Sequence, residues 1–239
     1  MMRRLFDHVH LWRPKHWVKN VFVLMPVPFG LAAGARADAG QFLLGFVGFC
    51  FATSAVYALN DVIDAEQDRR HPRKQERPVA SGRLRPVEGL ASAAVALGVA
   101  LGLSWTVHST TAITLVGVYV GLNVTYSLGA KHVPLIDVFI LSSGFVLRVL
   151  LGCALIDVRP SSWLLLCSSA LALFLALAKR RGDLVRGVGP DHRPSLRGYN
   201  VEFLNQAITI STALTLMSYA LYTMEAEVLV PGREFASLP

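Results

Sequence analysis

The stretch ALNDVIDAEQDRRHPRKQERPVASGRL, residues 58–84, places the densest charge of the chain directly after an apolar run. Four acids fall within eight residues, from Asp61 to Asp68, and seven Lys or Arg residues follow up to Arg85. The run before them, QFLLGFVGFCFATSAVYAL (residues 41–59), carries no charge. This change decides the fold, because an apolar run that ends in a charged loop is typical of a helix leaving a membrane.

The composition also indicates a membrane protein. Of the 239 residues, 53% are hydrophobic and only 16% are charged, whereas soluble domains usually carry about a quarter charged residues. Seven runs approach the roughly 20 apolar residues that cross a bilayer core, although two prolines interrupt the first. The predicted spans are residues 18–33, 41–59, 87–107, 109–128, 135–156, 161–178 and 203–224. The sequence therefore predicts an all-α, polytopic transmembrane helical bundle.

The distribution of positive charge predicts the orientation of this bundle. If successive connecting segments alternate sides, one side holds 19 Lys or Arg residues and the other holds 3, with Arg148 inside the fifth span. Positive residues favour the cytoplasmic face. The N-terminus and two long loops, residues 60–86 and 179–202, are therefore predicted to be cytoplasmic. A receptor with an extracellular binding domain is excluded, because the predicted outer loops are very short.

The acidic residues of the opening stretch are spaced for one helix face. Asn60, Asp64 and Asp68 recur at every fourth residue, at about 100° per residue. Clustered carboxylates repel one another unless a cation joins them, and oxygen ligands suit Mg²⁺, which commonly also binds substrate phosphates. The candidate metal ligands are Asn60, Asp61, Asp64 and Asp68. The alternative is a solvated helix end with surface ion pairs.

Two further groups of charged residues are candidates for a site. The arginines after the acids suit phosphate binding, and Arg77 is singled out among them, although positive charge that sets topology explains most of the others. Asp137 and Arg148 lie within one predicted span, about three turns apart and on the same side of the helix. Intramembrane charge indicates function by default, but a structural partner on another helix explains Arg148 equally well.

Several motifs resemble a known family of membrane enzymes. NDVIDAEQD (residues 60–68) fits the N-D-x-x-D-x-x-x-D motif of UbiA-type intramembrane prenyltransferases, and RPVASG (77–82) resembles the loop that follows it. Three further segments resemble the decaprenyl-phosphate phosphoribosyltransferase branch: LWRPKHWVKNVFVLMPVPFG (11–30), YSLGAKHVPLIDVFILSSGFVLRVLLG (126–152), and LAKRRGDL with RGYNVEFLNQ (177–184, 197–206). The resemblance runs from about Leu11 to Tyr222, with the motifs in the same order.

The resemblance implies an activity and a set of site residues. The activity is Mg²⁺-dependent transfer of a 5-phosphoribosyl group from phosphoribosyl pyrophosphate to a polyprenyl (decaprenyl) phosphate. The implied catalytic residues are Asn60, Asp64, Asp68 and Asp183. The implied substrate-binding residues are Lys15, Lys19, Asn20, Arg77, Tyr126, Lys131, Arg148, Lys179 and Arg180. The expected partners are these two substrates and the lipid of a bacterial plasma membrane, without nucleic acid, and a homo-oligomer is left open.

Two other functions remain as alternatives. The same acids fit a prenyltransferase that moves a polyprenyl group from its diphosphate to an aromatic acceptor, although the surplus of cations favours a sugar phosphate. A transporter or scaffold is the second alternative, but repeated halves with midplane charge or Gly/Pro breaks are not visible. Because the family typically has nine spans, residues 1–239 are expected to form one membrane domain that lacks the last two, with the site in loops 60–86 and 179–202.

Overall fold

The computed structural model of the protein describes residues 2–35, 37–72, 74–187 and 194–229. Within these ranges the chain is helical and contains no strand, which confirms the all-α fold. The α-helices are α1 (Met2–Trp12), α2 (Pro26–Ala32), α3 (Ala39–Ile63), α4 (Ala65–Arg69), α5 (Pro86–Thr106), α6 (Thr110–Leu128), α7 (Ile136–Leu155), α8 (Ser162–Val185) and α9 (Val201–Leu229). Three 3₁₀ segments lie between them, at Pro14–Leu24, Ala130–His132 and Pro194–Gly198.

Six of the described helices are long and apolar enough to cross a membrane: α3, α5, α6, α7, α8 and α9. The sequence predicted seven spans, and the difference lies in residues 18–33. That segment is not one helix, because a 3₁₀ helix ends at Leu24 and α2 begins at Pro26. Proline lacks a backbone N–H and is tolerated at the first position of a helix but not in its interior. The count of uninterrupted spans is therefore corrected to six.

The broken segment nevertheless packs along the C-terminal half of α7. Asn20 contacts Arg148 within that helix, and a Cβ on Gly30 would touch Ile156, the residue that follows it. A Cβ on Gly152 would lie 2.1 Å from the carbonyl oxygen of Val23, so only glycine allows this approach. At about 2.0 Å per 3₁₀ residue and 1.5 Å per α residue, both pieces together measure roughly 32 Å, similar to a bilayer core.

The polar ends of three helices meet at one end of the bundle, which we call the polar end. It consists of the C-terminal ends of α3 and α8 and the N-terminal end of α7. The main core between α3, α6 and α7 includes Phe49, Val116, Tyr119 and Leu151. A second apolar cluster, which includes Val138, Ala176 and Leu177, joins α7 to α8. Apolar packing thus fixes α3, α7 and α8, and their charged ends come together outside it.

Candidate active site

A cavity of about 430 Å³ opens at the polar end. Its charged lining residues are Asp64, Lys74, Arg77, Lys131, Lys179 and Asp183, and its uncharged ones are Asn60, Gln67, His71, Tyr126, His132 and Pro194. Two carboxylates and four Lys or Arg side chains therefore face one space. Such a lining can bind an anion that carries several phosphates, together with a cation between those phosphates and the carboxylates.

One wall of the cavity is built from the end of α3 and the segment after α6. The Asn60 Nδ2 donates to Asp64 Oδ2 at 3.0 Å, and the Ser127 hydroxyl donates to Asn60 Oδ1 at 3.0 Å. The ammonium of Lys131 pairs with the other oxygen of Asp64. These bonds explain an asparagine near the end of an apolar helix, since its amide fixes the orientation of the Asp64 carboxylate.

Asp61 and Asp68 form a second group, which lies behind the cavity surface. The Arg77 Nη1 donates to Asp61 Oδ1 at 3.0 Å and to Asp68 Oδ2 at 2.5 Å. Arg13 adds a bond to Asp61 at 2.5 Å, and Lys74 lies 3.6 Å from Asp68. Burial raises the pKa of Asp68, and the nearby Arg77 and Lys74 only partly oppose this effect. Both acids thus act as supports for Arg77.

The four candidate metal ligands, Asn60, Asp61, Asp64 and Asp68, lie on two different faces of the helix end. Helical spacing continues through the break at Asp64, because the N–H of Asp64 bonds to the carbonyl of Asn60 and the N–H of Asp68 to that of Asp64. Asp61 and Asp68 are seven residues apart, close to two full turns, and both meet Arg77. Asn60 and Asp64 are four residues apart and face the cavity. The prediction that Asn60, Asp64 and Asp68 share one face therefore holds for Asn60 and Asp64, which line the cavity, but not for Asp68.

A fully buried ion pair supports the opposite wall. Asp137 accepts hydrogen bonds from Arg180 Nε at 2.6 Å, Ser195 Oγ at 2.9 Å and Tyr199 Oη at 2.7 Å. Asp137 and Arg180 are both 0% exposed. Burial and the bond to Asp137 raise the pKa of Tyr199, so its hydroxyl stays protonated. The carboxylate therefore ties α7, α8 and the 3₁₀ segment Pro194–Gly198 together.

Arg148 and Asn20 bond to each other inside the bundle rather than to the cavity. The Arg148 Nε donates to Asn20 Oδ1 at 2.9 Å, and its Nη atoms donate to the Gly144 carbonyl at 2.6 Å and to Tyr119 Oη at 3.3 Å. The guanidinium also lies 5.0 Å from the centre of the Tyr119 ring. Neutral acceptors and aromatic rings thus hold this cation, an arrangement known to favour buried arginine.

The cavity brings together seven of the predicted site residues: Asn60, Arg77, Asp64, Tyr126, Lys131, Lys179 and Asp183. It does not bring in Asp61 and Asp68, the buried residues Asn20, Arg148 and Arg180, or Lys15 and Lys19, which are exposed. The roles of all these residues stay predictions. Asp191, His192 and Arg193 lie outside the described ranges.

Sequence reasoning missed several lining residues and supports. Gln67, His71, His132 and Pro194 line the cavity without having been predicted to do so. His71 follows the acidic stretch by three residues, and His132 is next to Lys131, so proximity to predicted residues was the available signal. The sequence gave no signal for the supporting residues Ser127 and Ser195, because serines are common in such segments.

The described side chains alone do not form a complete metal centre. Among the described ranges, no group of three or more His, Cys, Asp or Glu residues is close enough to hold a metal ion. Asp64 and Asp183 nevertheless face one cavity, with the amide of Asn60 beside Asp64. This donor set fits an ion that completes its coordination with substrate phosphates and water, as Mg²⁺ commonly does.

Residues 21–231 match the UbiA prenyltransferase family. The chain belongs to this family. It is 40% identical over 221 residues to a decaprenyl-phosphate phosphoribosyltransferase of Corynebacterium glutamicum, covering 88% of this chain and 65% of that protein. Proteins of the same name from Mycolicibacterium smegmatis and Mycobacterium tuberculosis are 32% and 35% identical, and each match covers 90% of this chain. The matches span 69% and 73% of those two proteins.

Solved structures of the family share the fold. A UbiA homologue from Archaeoglobus fulgidus, bound to GPP and Mg²⁺, superposes with a TM-score of 0.78 and 17% sequence identity. The match covers 94% of this chain and 79% of that one. The same homologue bound to DMAPP and Mg²⁺ gives a TM-score of 0.77 at 18% identity. The resemblance seen in the sequence motifs is thereby confirmed for the family and for its fold.

Proposed function

We propose that this protein transfers a 5-phosphoribosyl group from phosphoribosyl pyrophosphate to a polyprenyl phosphate, with decaprenyl phosphate as the expected acceptor and Mg²⁺ as the metal. The observation that carries the proposal is the cavity at the polar end, in which Asp64 and Asp183 face the same space as four basic side chains. The names of the Corynebacterium and mycobacterial relatives point to the same reaction.

The balance of charge favours this donor over a prenyl diphosphate. Phosphoribosyl pyrophosphate carries a 5-phosphate in addition to its diphosphate, whereas a prenyl diphosphate carries a single diphosphate and an apolar tail. The cations that line the cavity are Lys74, Arg77, Lys131 and Lys179. They exceed the two carboxylates of the lining, which matches a ligand with two separate anionic ends.

The metal would be held by the two carboxylates that face the cavity. Asp64 and Asp183 would bind it together with oxygens of the donor's diphosphate. Asn60 would orient Asp64, because its amide nitrogen donates to that carboxylate while its oxygen accepts from Ser127. When bound, the ion neutralises the negative charge that develops on the departing diphosphate. We assign Asp61 and Asp68 a different role, as the residues that hold Arg77 in place, because both are buried against it.

The basic residues of the cavity position the substrate phosphates. Arg77 is fixed by two carboxylates, so it offers its remaining donors to a phosphate without first losing conformational freedom. Lys131 pairs with Asp64, and its flexible side chain can also contact a phosphate that binds beside this carboxylate. The acceptor phosphate is already anionic, so no general base is required. Catalysis then rests on orientation and on neutralisation of charge.

The orientation belongs to the same proposal. The excess of Lys and Arg on one side supports a cytoplasmic location for the polar end, where a soluble sugar phosphate is available. Single cysteines introduced at Gln75 and Arg186 should react with a membrane-impermeant maleimide only in inverted vesicles. Reaction of either cysteine in intact cells would contradict this orientation.

The activity itself is tested with the purified protein in detergent. Radiolabelled phosphoribosyl pyrophosphate and decaprenyl phosphate should give a labelled lipid, and chelation of Mg²⁺ with EDTA should abolish the transfer. In parallel, geranyl diphosphate and 4-hydroxybenzoate should give no product. The reverse preference would assign the chain to prenyl transfer onto aromatic acceptors and overturn the proposal.

A further inference from the structure

The helix α1 packs with one face against the outside of the bundle. Asp7 and Leu11 lie four residues apart on that face, and both are buried. The Trp12 indole donates to the Ser92 carbonyl of α5 at 3.3 Å, and the Ser54 hydroxyl of α3 donates to the Trp12 carbonyl at 2.8 Å. Helix α1 is therefore docked against two helices that are long and apolar enough to span a membrane.

The opposite face of α1 is apolar and exposed. Leu5 and Phe6 are 67% and 71% exposed, and Val9 is exposed as well. At about 100° per residue, these three side chains point in nearly the opposite direction to Asp7 and Leu11. Adjacent large apolar side chains are unfavourable in water, and a helix that carries them on its outer face is typical of one lying in a membrane interface.

The contacts of α1 place this face at the boundary of the membrane. Arg4 pairs with Glu88 in the first turn of α5 at 3.3 Å. Trp12 contacts Ser92, one turn further into the same helix. On α3, Trp12 contacts Ser54, which lies about 14 Å from the end of that helix at the polar end. Helix α1 therefore runs obliquely from the polar end into the length of the spans.

The surface of α5 below α1 faces lipid. One face of α5 carries residues spaced by four, three and four positions, namely Glu88, Ser92, Val95 and Val99. Helix α1 contacts the first two, whereas Val95 and Val99 are exposed on a helix that is apolar enough to span the membrane. The apolar face of α1 thus continues a lipid-facing stripe of the bundle.

The docked face of α1 also holds the loop that carries Arg77. The Asp7 carboxylate accepts a hydrogen bond from Arg83 Nε at 2.9 Å. The Arg83 Nη2 in turn donates to the carbonyl of Glu76 at 2.8 Å. Glu76 directly precedes Arg77, which lines the cavity. Two hydrogen bonds therefore connect α1 to the residue before an arginine of the candidate active site.

We propose that the face of α1 formed by Leu5, Phe6 and Val9 binds the boundary between phospholipid headgroups and acyl chains. Bound there, α1 keeps the loop of Arg77 in place through Asp7. The partner is the lipid surface itself, because the face is apolar and continues the lipid-facing stripe of α5. The inference does not depend on the reaction assigned above, since it concerns only where α1 lies and which loop it holds.

The position of α1 is measured by electron paramagnetic resonance on the full chain in vesicles of phosphatidylcholine and phosphatidylglycerol. A nitroxide is attached to Phe6→Cys, Val9→Cys or Gln75→Cys, with the native cysteines replaced by alanine. Oxygen concentrates among acyl chains, whereas a nickel chelate stays in water. The labels on α1 should relax mainly with oxygen and lie deeper at position 9 than at position 6. The label at position 75, in an exposed loop, should relax mainly with the chelate.

Two results of this measurement would overturn the proposal. Relaxation of both α1 labels mainly by the nickel chelate would show that the apolar face lies in water. Protection of both labels from oxygen and from the chelate would show that protein covers the face, as in an interface between two copies of the chain.

The connection to the loop is tested by hydrogen exchange of residues 74–85 in the same vesicles. Leu5→Ser combined with Val9→Ser removes apolar area from lipid. Exchange in the loop should rise roughly tenfold or more, because loss of two such side chains weakens lipid binding by at least that factor. The matched control is Leu128→Ser combined with Val185→Ser, since both residues are exposed near the polar end and lie outside α1. This control should leave the exchange unchanged.

Asp7→Ala separates lipid binding from the hold on the loop. The apolar face stays intact, so labels at positions 6 and 9 should remain in lipid. Exchange in the loop should nevertheless rise, because Arg83 loses its carboxylate partner. Unchanged exchange in this variant, or in Leu5→Ser combined with Val9→Ser, would overturn the connection between α1 and the loop. Neither readout requires turnover, so both test α1 independently of the proposed reaction.

Discussion

Two arginine clusters flank the cavity, and they present opposite charges to it. Arg77 is held by two buried acids, has a side chain that is 23% exposed, and lines the cavity itself. Arg180 is also held by a buried acid, but it is 0% exposed, and the acidic Asp183 stands in front of it. The same ion-pair chemistry therefore offers a cation on one wall and a carboxylate on the other. A site that binds a metal–diphosphate complex needs both.

The largest effect is expected from the carboxylate that faces the cavity. Asp64→Asn keeps the size and hydrogen-bonding capacity of the side chain but removes one negative charge next to the proposed metal. Turnover should fall by about two orders of magnitude or more, as for loss of a strong electrostatic contact to a transition state. Initial rates at limiting Mg²⁺ give the measurement, and a melting curve verifies that the variant is folded.

Asp38→Asn is the control for this change. Asp38 caps α3 at the other end of the helix by accepting from the N–H groups of Gly40 and Gln41, and asparagine caps a helix equally well. This variant should behave as wild type. Near-normal turnover of folded Asp64→Asn would mean that the acidic stretch is only a solvated helix end.

A smaller effect is expected from the acid that acts behind Arg77. Asp68→Asn removes one of two carboxylates that hold this arginine, while Asp61 remains. Stability should change only moderately, because Arg77 keeps Asp61 as a partner and its side chain is partly exposed. The loss should be roughly 10-fold and appear mainly in KM for phosphoribosyl pyrophosphate. A loss as large as that of Asp64→Asn would place Asp68 among the metal ligands after all.

The smallest effect is expected from the lysines before the first crossing. Lys15 and Lys19 are exposed and do not line the cavity, so Lys15→Gln and Lys19→Gln should each change kcat/KM by about twofold or less. Steady-state kinetics in detergent measure kcat/KM of both variants. A tenfold rise in KM for the donor would show that these lysines reach the substrate, and the cavity would then have to extend towards the 3₁₀ segment Pro14–Leu24.

Much of the fold was predictable, since hydropathy reports directly on the membrane. Six spans follow from runs of apolar residues. The first predicted span, residues 18–33, was wrong as a single helix, because hydropathy does not register the type of helix. Pro26 was visible in the sequence, but the 11 residues of 3₁₀ helix before it were not. That conformation depends on tertiary contacts such as the bond between Asn20 and Arg148.

The site was predictable in its residue types and less so in its geometry. A four-residue spacing correctly put Asn60 and Asp64 on a common face, because the period of a helix is local information. Asp68 was predicted as a metal ligand and Arg180 as a substrate-binding residue, and whether either reaches the cavity depends on what lies across from it. Arg77 comes from a loop nine residues later, and Asp137 from another helix 43 residues earlier. Spacing along one helix carries no information about such partners.

The bond between Asn20 and Arg148 has a consequence for biogenesis. It joins residues 128 positions apart, and the segment it holds is short on apolar length and interrupted by Pro26. During synthesis that segment leaves the ribosome long before α7 exists. We therefore expect the segment to reach its final position in the bilayer only after Arg148 has been synthesised. The order in which the helices leave the ribosome then differs from the order in which they pack.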